Sequence, residues 1–199
     1  MAKANIAVMV SGGGTNLQAL IDAQNSGILH SGQLSLVISN IPDAYALERA
    51  KKAGIPAFGI HKKAIGQAAF EQEIQRLFRQ YHIDLVILAG FLSILSEDFI
   101  RAYPKRILNI HPSLLPAFGG EGFYGLRVHQ AALDRGVKLT GATVHFVNEV
   151  VDGGEIIAQK AVAVLPGDTP EILQKRVMEQ AEWILLPQAA EEISKQITA

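Results

Sequence analysis

NIAVMV (Asn5–Val10), followed at once by SGGGTN (Ser11–Asn16), decides the fold. A short apolar run closed by a glycine cluster, with a helical pattern from Leu17 onward, reads as strand, tight turn and helix. The same alternation continues downstream. Leu34–Ser39 and Ile55–Ile60 read as short strands, separated by a helix-prone stretch, Ala44–Ala53, that stops at Gly54. Between Gln67 and Tyr81 the residues Phe70, Ile74, Leu77, Phe78 and Tyr81 fall on one face of an amphipathic helix. LVILA (Leu85–Ala89) has no polar alternation, which predicts a central parallel strand covered on both faces. Ser96 caps a helix expected to run to Tyr103, because Pro104 disfavours helical geometry just before it, and Ile107–Ile110 is the next strand. Strands alternating with helices in this way imply an α/β fold: an open, mostly parallel sheet with helices on both faces.

The last third breaks the pattern. Gly141–Val147 and Ile156–Val164 are strands joined through Asp152-Gly153-Gly154 without room for a helix, so an antiparallel C-terminal hairpin is expected there. Thr169 as cap and Pro170 at the first helical position start a final helix toward Leu186. No repeat, low-complexity tract or linker divides the chain, which reads as a single domain over residues 1–199.

Composition narrows the function classes. A chain of 199 residues buries roughly 70% of its unfolded surface, enough for a self-supporting core. Cysteine is absent, which excludes disulfides and thiolate metal sites. With 18 Lys+Arg against 19 Asp+Glu the net charge is -1, which speaks against a polyanion binder with a broad basic face. Met1-Ala2-Lys3 leads into the first strand without a signal-peptide pattern. The stretch Leu85–Leu95 is half the roughly 20 residues of a membrane helix and contains Gly90, so a cytoplasmic protein is expected.

Chemistry concentrates in a few places. The glycines of Ser11–Asn16 let backbone amides approach an anion at a helix N-terminus, a natural phosphate seat, or they form only a tight turn. The dinucleotide fingerprint fails at Leu17, and no Lys follows the glycines to complete a Walker loop. Asn109 and His111, two apart at a strand end, project together at the carboxyl edge where open α/β sheets bind ligands. Thr143 and His145 share one face of the next long strand. Asp152 either reaches back from its pliable turn, raising the pKa of His111 and keeping it charged, or serves the turn alone. His111, His129, His145 and Asp152 form a weaker alternative as a metal set, since no pair has helical i,i+4 spacing. FGGEGFYG (Phe118–Gly125) is a lid or a plain surface excursion.

SGGGTNL (Ser11–Leu17), LAGFLSIL (Leu88–Leu95), NIHPSLLP (Asn109–Pro116), GATVHFV (Gly141–Val147) and VDGGEII (Val151–Ile157) occur in the order and spacing of a known family. From about Asn5 to Pro187 the chain resembles the phosphoribosylglycinamide formyltransferases, folate-dependent enzymes of purine biosynthesis. The resemblance implies a Rossmann-like formyltransferase fold and transfer of a formyl group from 10-formyltetrahydrofolate, as co-substrate and without a metal, to the amine of glycinamide ribonucleotide. It implies that Asn109, His111 and Asp152 are catalytic. It also implies that Gly14, Thr15 and Asn16 hold the nucleotide phosphate, with Glu182 contacting the same substrate. Leu92, Ser93, Ile94 and Leu95, with Glu149, Val150 and Val151, would line the folate pocket beside Asn109. Gln67 stands where many members have a folate-contacting arginine, with Lys62 and Lys63 nearby. Trp183 replaces a frequent histidine, and the Phe118–Gly125 loop is longer than usual. The implied partners are these small molecules, not nucleic acid or membrane, in a monomer or homodimer.

The chemistry of these residue types agrees. Attack of an amine on a formyl carbon builds a tetrahedral oxyanion, which needs aimed donors and a proton route between two nitrogens. Asn109 and a cationic His111 supply donors, and Asp152 manages the proton. The nearest rival is a formyltetrahydrofolate deformylase, which shares the Asn, His and Asp but lacks a phosphate-type glycine loop. A methionyl-tRNA formyltransferase would need an RNA-binding domain and basic surface. A catalytically silent folate or nucleotide binder is disfavoured by three competent side chains.

Overall fold

The computed structural model describes residues 2–199; Met1, which opens the N-terminal stretch read above, lies outside it. Seven strands form one sheet: β1 (Ala4–Val10), β2 (Gly32–Ser39), β3 (Ala57–Gly59), β4 (Leu85–Leu88), β5 (Ile107–His111), β6 (Leu139–Phe146) and β7 (Ile156–Ala163). Their order is β3-β2-β1-β4-β5-β6-β7, parallel from β3 through β5 and antiparallel for β6 and β7. All of β4, and all of β1 except Asn5, is buried, as unalternated apolar strands require.

Helices cover both faces. On one side α1 (Thr15–Ser26), α2 (Tyr45–Lys52), α5 (Leu126–Arg135), α6 (Pro170–Val177) and α7 (Trp183–Thr198) contribute Leu17, Leu47, Ala132, Leu173 and Leu186 to one core. On the other, α3 (Lys62–Gln80) and α4 (Glu97–Arg101) bring Phe70, Ile74, Leu77 and Phe99 to a second. Chain direction across the sheet reverses between β1 and β4, which opens a crevice above their carboxyl ends. Ser11 stitches that crevice: its Oγ donates to Asn40 Oδ1 (2.7 Å) and accepts from Leu92 N (2.8 Å), joining the ends of β1, β2 and β4.

Several boundaries differ from the sequence expectation. The strand read at Ile55–Ile60 pairs only over Ala57–Gly59. The α3 segment starts at Lys62 but breaks at Gly66 (φ +82°), so its amphipathic run does begin at Gln67. The Ser96 cap is present, accepting from Phe99 N at 3.2 Å, yet α4 closes at Arg101 rather than Tyr103. Helix α5 was not anticipated, because its buried face carries His129 beside Val128 and Ala132 and so lacks a clean apolar stripe. The last helix does not stop near Leu186. A π turn at Met178–Glu182 separates α6 from α7, and α7 runs through Pro187 to Thr198. Pro187 falls on the second turn of α7, where it costs one hydrogen bond, and burial of Leu185, Leu186, Ala189 and Ala190 carries the helix past it. No helix among the described residues is long and apolar enough to cross a membrane.

Candidate active site

Register places the first cluster. In the β5–β6 pair Asn109 lies opposite His145, and His111 opposite Thr143, so all four side chains share one face. Asp152 reaches this group from the β6–β7 connection with φ +55°, a left-handed conformation that aspartate tolerates. Its Oδ2 accepts from Gly120 N (2.9 Å) and stands 3.4 Å from His111 Nδ1. Its Oδ1 stands 3.5 Å from Asn109 Nδ2 and 3.6 Å from His145 Nε2. Asp152 thus does more than shape a turn.

The imidazole of His111 is only 5% exposed. Its Nε2 faces the carbonyl of Phe118 at 2.8 Å and its Nδ1 faces Asp152, so only the doubly protonated ring donates to both oxygens. Burial opposes that form. It pushes the His111 pKa below its ordinary value, and the Asp152 carboxylate and Phe118 carbonyl pull only part of the way back. The expectation of a raised pKa is therefore corrected: desolvation outweighs the neighbouring charge, and the bound proton leaves readily. Burial would by itself raise the Asp152 pKa, but the contact with His145, the His111 charge and the Gly120 amide together hold it below the usual carboxylate range. His145 Nδ1 faces Phe146 O at 2.8 Å. Its Nε2 lies 3.1 Å from Asn109 Nδ2, and with the Nδ1 proton directed at Phe146 O it accepts from that amide.

Thr143 holds the segment after His111. Its hydroxyl donates to Ser113 O (2.7 Å) and accepts from Leu115 N (3.0 Å) and Gln159 Nε2 (2.9 Å). The Phe118–Gly125 loop lies directly over the cluster, capping His111 with one carbonyl and Asp152 with one amide.

The second cluster is the glycine turn. Carbonyls of Gly12, Gly13 and Gly14 are taken by Ala46 N (3.0 Å), Arg49 Nε (2.7 Å) and Gln18 N (2.9 Å). Among the described residues no acceptor meets the amides of Gly12 through Thr15. The turn therefore offers donors to an anion. Gly14 (φ +72°) lies against α2, where an added Cβ would sit 2.6 Å from Ala46 Cβ. Asn16 Nδ2 donates to Glu182 Oε2 (2.7 Å), and the π turn before α7 sets Glu182 in this buried position. Burial pushes the Glu182 pKa up against the pull of that hydrogen bond, and Asn16 Oδ1 is buried without a partner.

The third region flanks α4. Leu92 (62% exposed) and Ile94 (63%) stand out while Leu95 is buried, and on the far side Val150 and Val151 are exposed. Arg101 of α4 donates to Glu149 (3.1 Å), tying the two segments together. Gln67 Nε2 is committed to Glu71 and to Ile94 O (3.2 Å), and a cation at this rim, Lys62, donates to Ser93 Oγ.

A family model described as "Formyl transferase" matches residues 4–189. The chain belongs to the formyl transferase family. A chloroplastic phosphoribosylglycinamide formyltransferase of Arabidopsis thaliana is 44% identical over 88% of this chain, which spans 60% of that relative's length. The solved structure of a glycinamide ribonucleotide transformylase of Symbiobacterium toebii superposes with TM-score 0.90 at 42% identity, covering 98% of this chain and 89% of that one. A formyltetrahydrofolate deformylase of Pseudomonas syringae shares the fold at 29% identity and TM-score 0.84, with 98% of this chain matched to 62% of that one.

Two histidines at or near this cluster have no role in the sequence analysis beyond the weaker metal alternative. His145 was visible on the Thr143 face, but nothing in linear spacing pairs it with Asn109. His129 was weighed only as a metal ligand. It lies buried in α5 with both ring nitrogens unpartnered, and among the described residues no group of three or more candidate ligands is placed to hold a metal ion. Burial, with the neighbouring His111 adding to it, pushes the His129 pKa down to about 4. An unfolded histidine titrates near 6.5, so the unfolded chain binds the extra proton between these values and the His129 contribution to stability is lost as pH falls. His129 should therefore cost about 2 to 3 kcal/mol of stability between pH 7 and pH 4.5. Urea unfolding of wild type and His129→Leu at both pH values should show the variant less acid-sensitive by that amount; equal sensitivity would mean the ring is not held neutral.

Proposed function

We propose that this protein transfers the formyl group of 10-formyltetrahydrofolate to the amine of glycinamide ribonucleotide, as a single cytoplasmic domain. The carrying observation is the convergence of Asn109, His111 and Asp152 at the carboxyl edge of a sheet in which β1, two places from β5, ends at the same edge in an amide-lined glycine turn. A phosphate seated on Gly14, Thr15 and Asn16 gives the acceptor nucleotide a fixed anchor, with Glu182 beside it for a hydroxyl of the same substrate. The folate lies across Leu92–Leu95 and Glu149–Val151, and Lys62, rather than Gln67, meets its anionic tail.

In the reaction the substrate amine attacks the formyl carbon and the carbonyl oxygen becomes an oxyanion. Asn109 Nδ2–H donates to that oxygen, most strongly in the transition state, and His111 adds its Nε2–H once the ligand takes the place of the Phe118 carbonyl there. The attacking nitrogen loses a proton to Asp152, directly or through water, and the departing folate nitrogen takes up a proton as the carbon–nitrogen bond breaks. The readily lost proton of His111 suits this exchange, and positioning of two substrates in one crevice supplies a comparable share of the rate.

Mixing the protein with 10-formyltetrahydrofolate, with and without glycinamide ribonucleotide, tests the reading. Tetrahydrofolate should appear only when the nucleotide is present. Release without nucleotide would make the protein a deformylase, and binding without release would make it a silent carrier.

Asp152→Asn keeps the shape but removes the negative charge that faces His111, so kcat should fall by about 100-fold to 10,000-fold while nucleotide affinity changes little. Steady-state kinetics with both substrates checks this, and near-normal turnover would remove Asp152 from the mechanism. Gly14→Val forces a side chain into Ala46 at a positive φ, so it should weaken nucleotide binding far more than folate binding. Calorimetry with each substrate measures the difference; equal losses would point to general distortion.

A further inference from the structure

Arg49 lies outside every motif discussed above, yet it touches the glycine turn at its most constrained point. It is half-buried on α2, and its Nε donates to Gly13 O at 2.7 Å. Its Nη1 donates to Gln18 Oε1 at 3.0 Å, across on α1. The guanidinium lies 5.1 Å from the centre of the Tyr45 ring, a cation–π contact that limits its rotation. A planar fork bonded to two acceptors on different elements and packed on a ring has little freedom left.

The geometry has a consequence for the amides. A peptide unit points its N–H opposite its C=O, so whatever holds the Gly13 carbonyl also aims the Gly14 amide. Arg49 holds that carbonyl from the α2 side, while Ala46 N holds the carbonyl of Gly12 from the same side. Both peptide units are turned so that the amides of Gly13 and Gly14 face away from α2. The guanidinium also places a full positive charge behind the turn, on the order of 8 Å from an anion bound by the Gly14 amide in front of it.

We infer that Arg49 is a positioning residue for the acceptor phosphate: it fixes the Gly13–Gly14 peptide so that the turn presents its amides, and it adds positive potential from behind without touching the ligand. This rests on the reading that the glycine turn seats the nucleotide phosphate. Lysine at this position keeps the charge and reaches one acceptor, but it lacks the fork that also holds Gln18.

Steady-state kinetics of wild type, Arg49→Met and Arg49→Lys, with glycinamide ribonucleotide and with the phosphate-free glycinamide riboside, tests the inference. Arg49→Met should raise KM for the ribonucleotide by about 10-fold to 100-fold, the range of one or two charge-assisted hydrogen bonds, with KM for the folate within about twofold. Arg49→Lys should fall between Met and wild type. Toward the riboside, which has no phosphate to position, wild type and Arg49→Met should perform alike. Gln18→Leu, which removes only the second acceptor, should shift ribonucleotide KM in the same direction by less, and it keeps the test open if Arg49→Met fails to fold. Unchanged ribonucleotide KM in Arg49→Met, or an equal loss with the riboside, would overturn the role of Arg49. A wild-type enzyme that does not prefer ribonucleotide to riboside would instead overturn the phosphate reading itself.

Discussion

A carboxylate taken out of water must be met by donors, and the site is organised around that demand at Asp152. Its two oxygens face four groups from three separate pieces of chain: the Gly120 amide of the loop, the His111 ring and Asn109 carboxamide of β5, and the His145 ring of β6. Removing any one leaves a buried charge less compensated, which ties the β6–β7 connection, the ends of β5 and β6 and the loop above them into one unit. The left-handed backbone of Asp152 is tolerated because this unit over-determines it.

The sheet supplies the frame for that demand. Parallel strands β1, β4 and β5 end on one edge, so the glycine turn, the Leu92–Leu95 segment and His111 arise at the same side of the molecule although they are far apart in sequence. The antiparallel strand β6 then runs back along β5 and lays Thr143 and His145 against His111 and Asn109. Three helical elements serve different parts of this edge. Helix α2 grips the glycine turn, α4 links the Leu92–Leu95 segment to Glu149, and the π turn before α7 sets Glu182 beside Asn16.

Local features were legible in the sequence because local rules govern them. The glycine turn, the caps at Ser96 and Thr169, the uniform burial of Leu85–Leu88 and the shared face of Asn109 and His111 follow from composition and spacing over a few residues. What escaped depends on registration between distant segments. His145 joins the cluster through a strand pairing that no linear spacing encodes, and Arg49 meets Gly13 only because α2 packs on the turn. The direction of the His111 shift was misjudged for the same reason: a carboxylate neighbour can be guessed from sequence, whereas the degree of desolvation that outweighs it cannot. The final helix expected toward Leu186 runs on for a different reason, since the apolar face of α7 carries it through Pro187 to Thr198.

The chain contains one tryptophan, and it directly follows Glu182. Trp183 lines a groove with Thr15, Arg49 and Pro187, and its indole nitrogen is buried without an acceptor. Ultraviolet emission from the whole molecule therefore originates largely at one wall of this groove, next to Glu182. Occupancy of that wall can be followed spectroscopically in the native polypeptide, with no dye attached and no competing indole elsewhere.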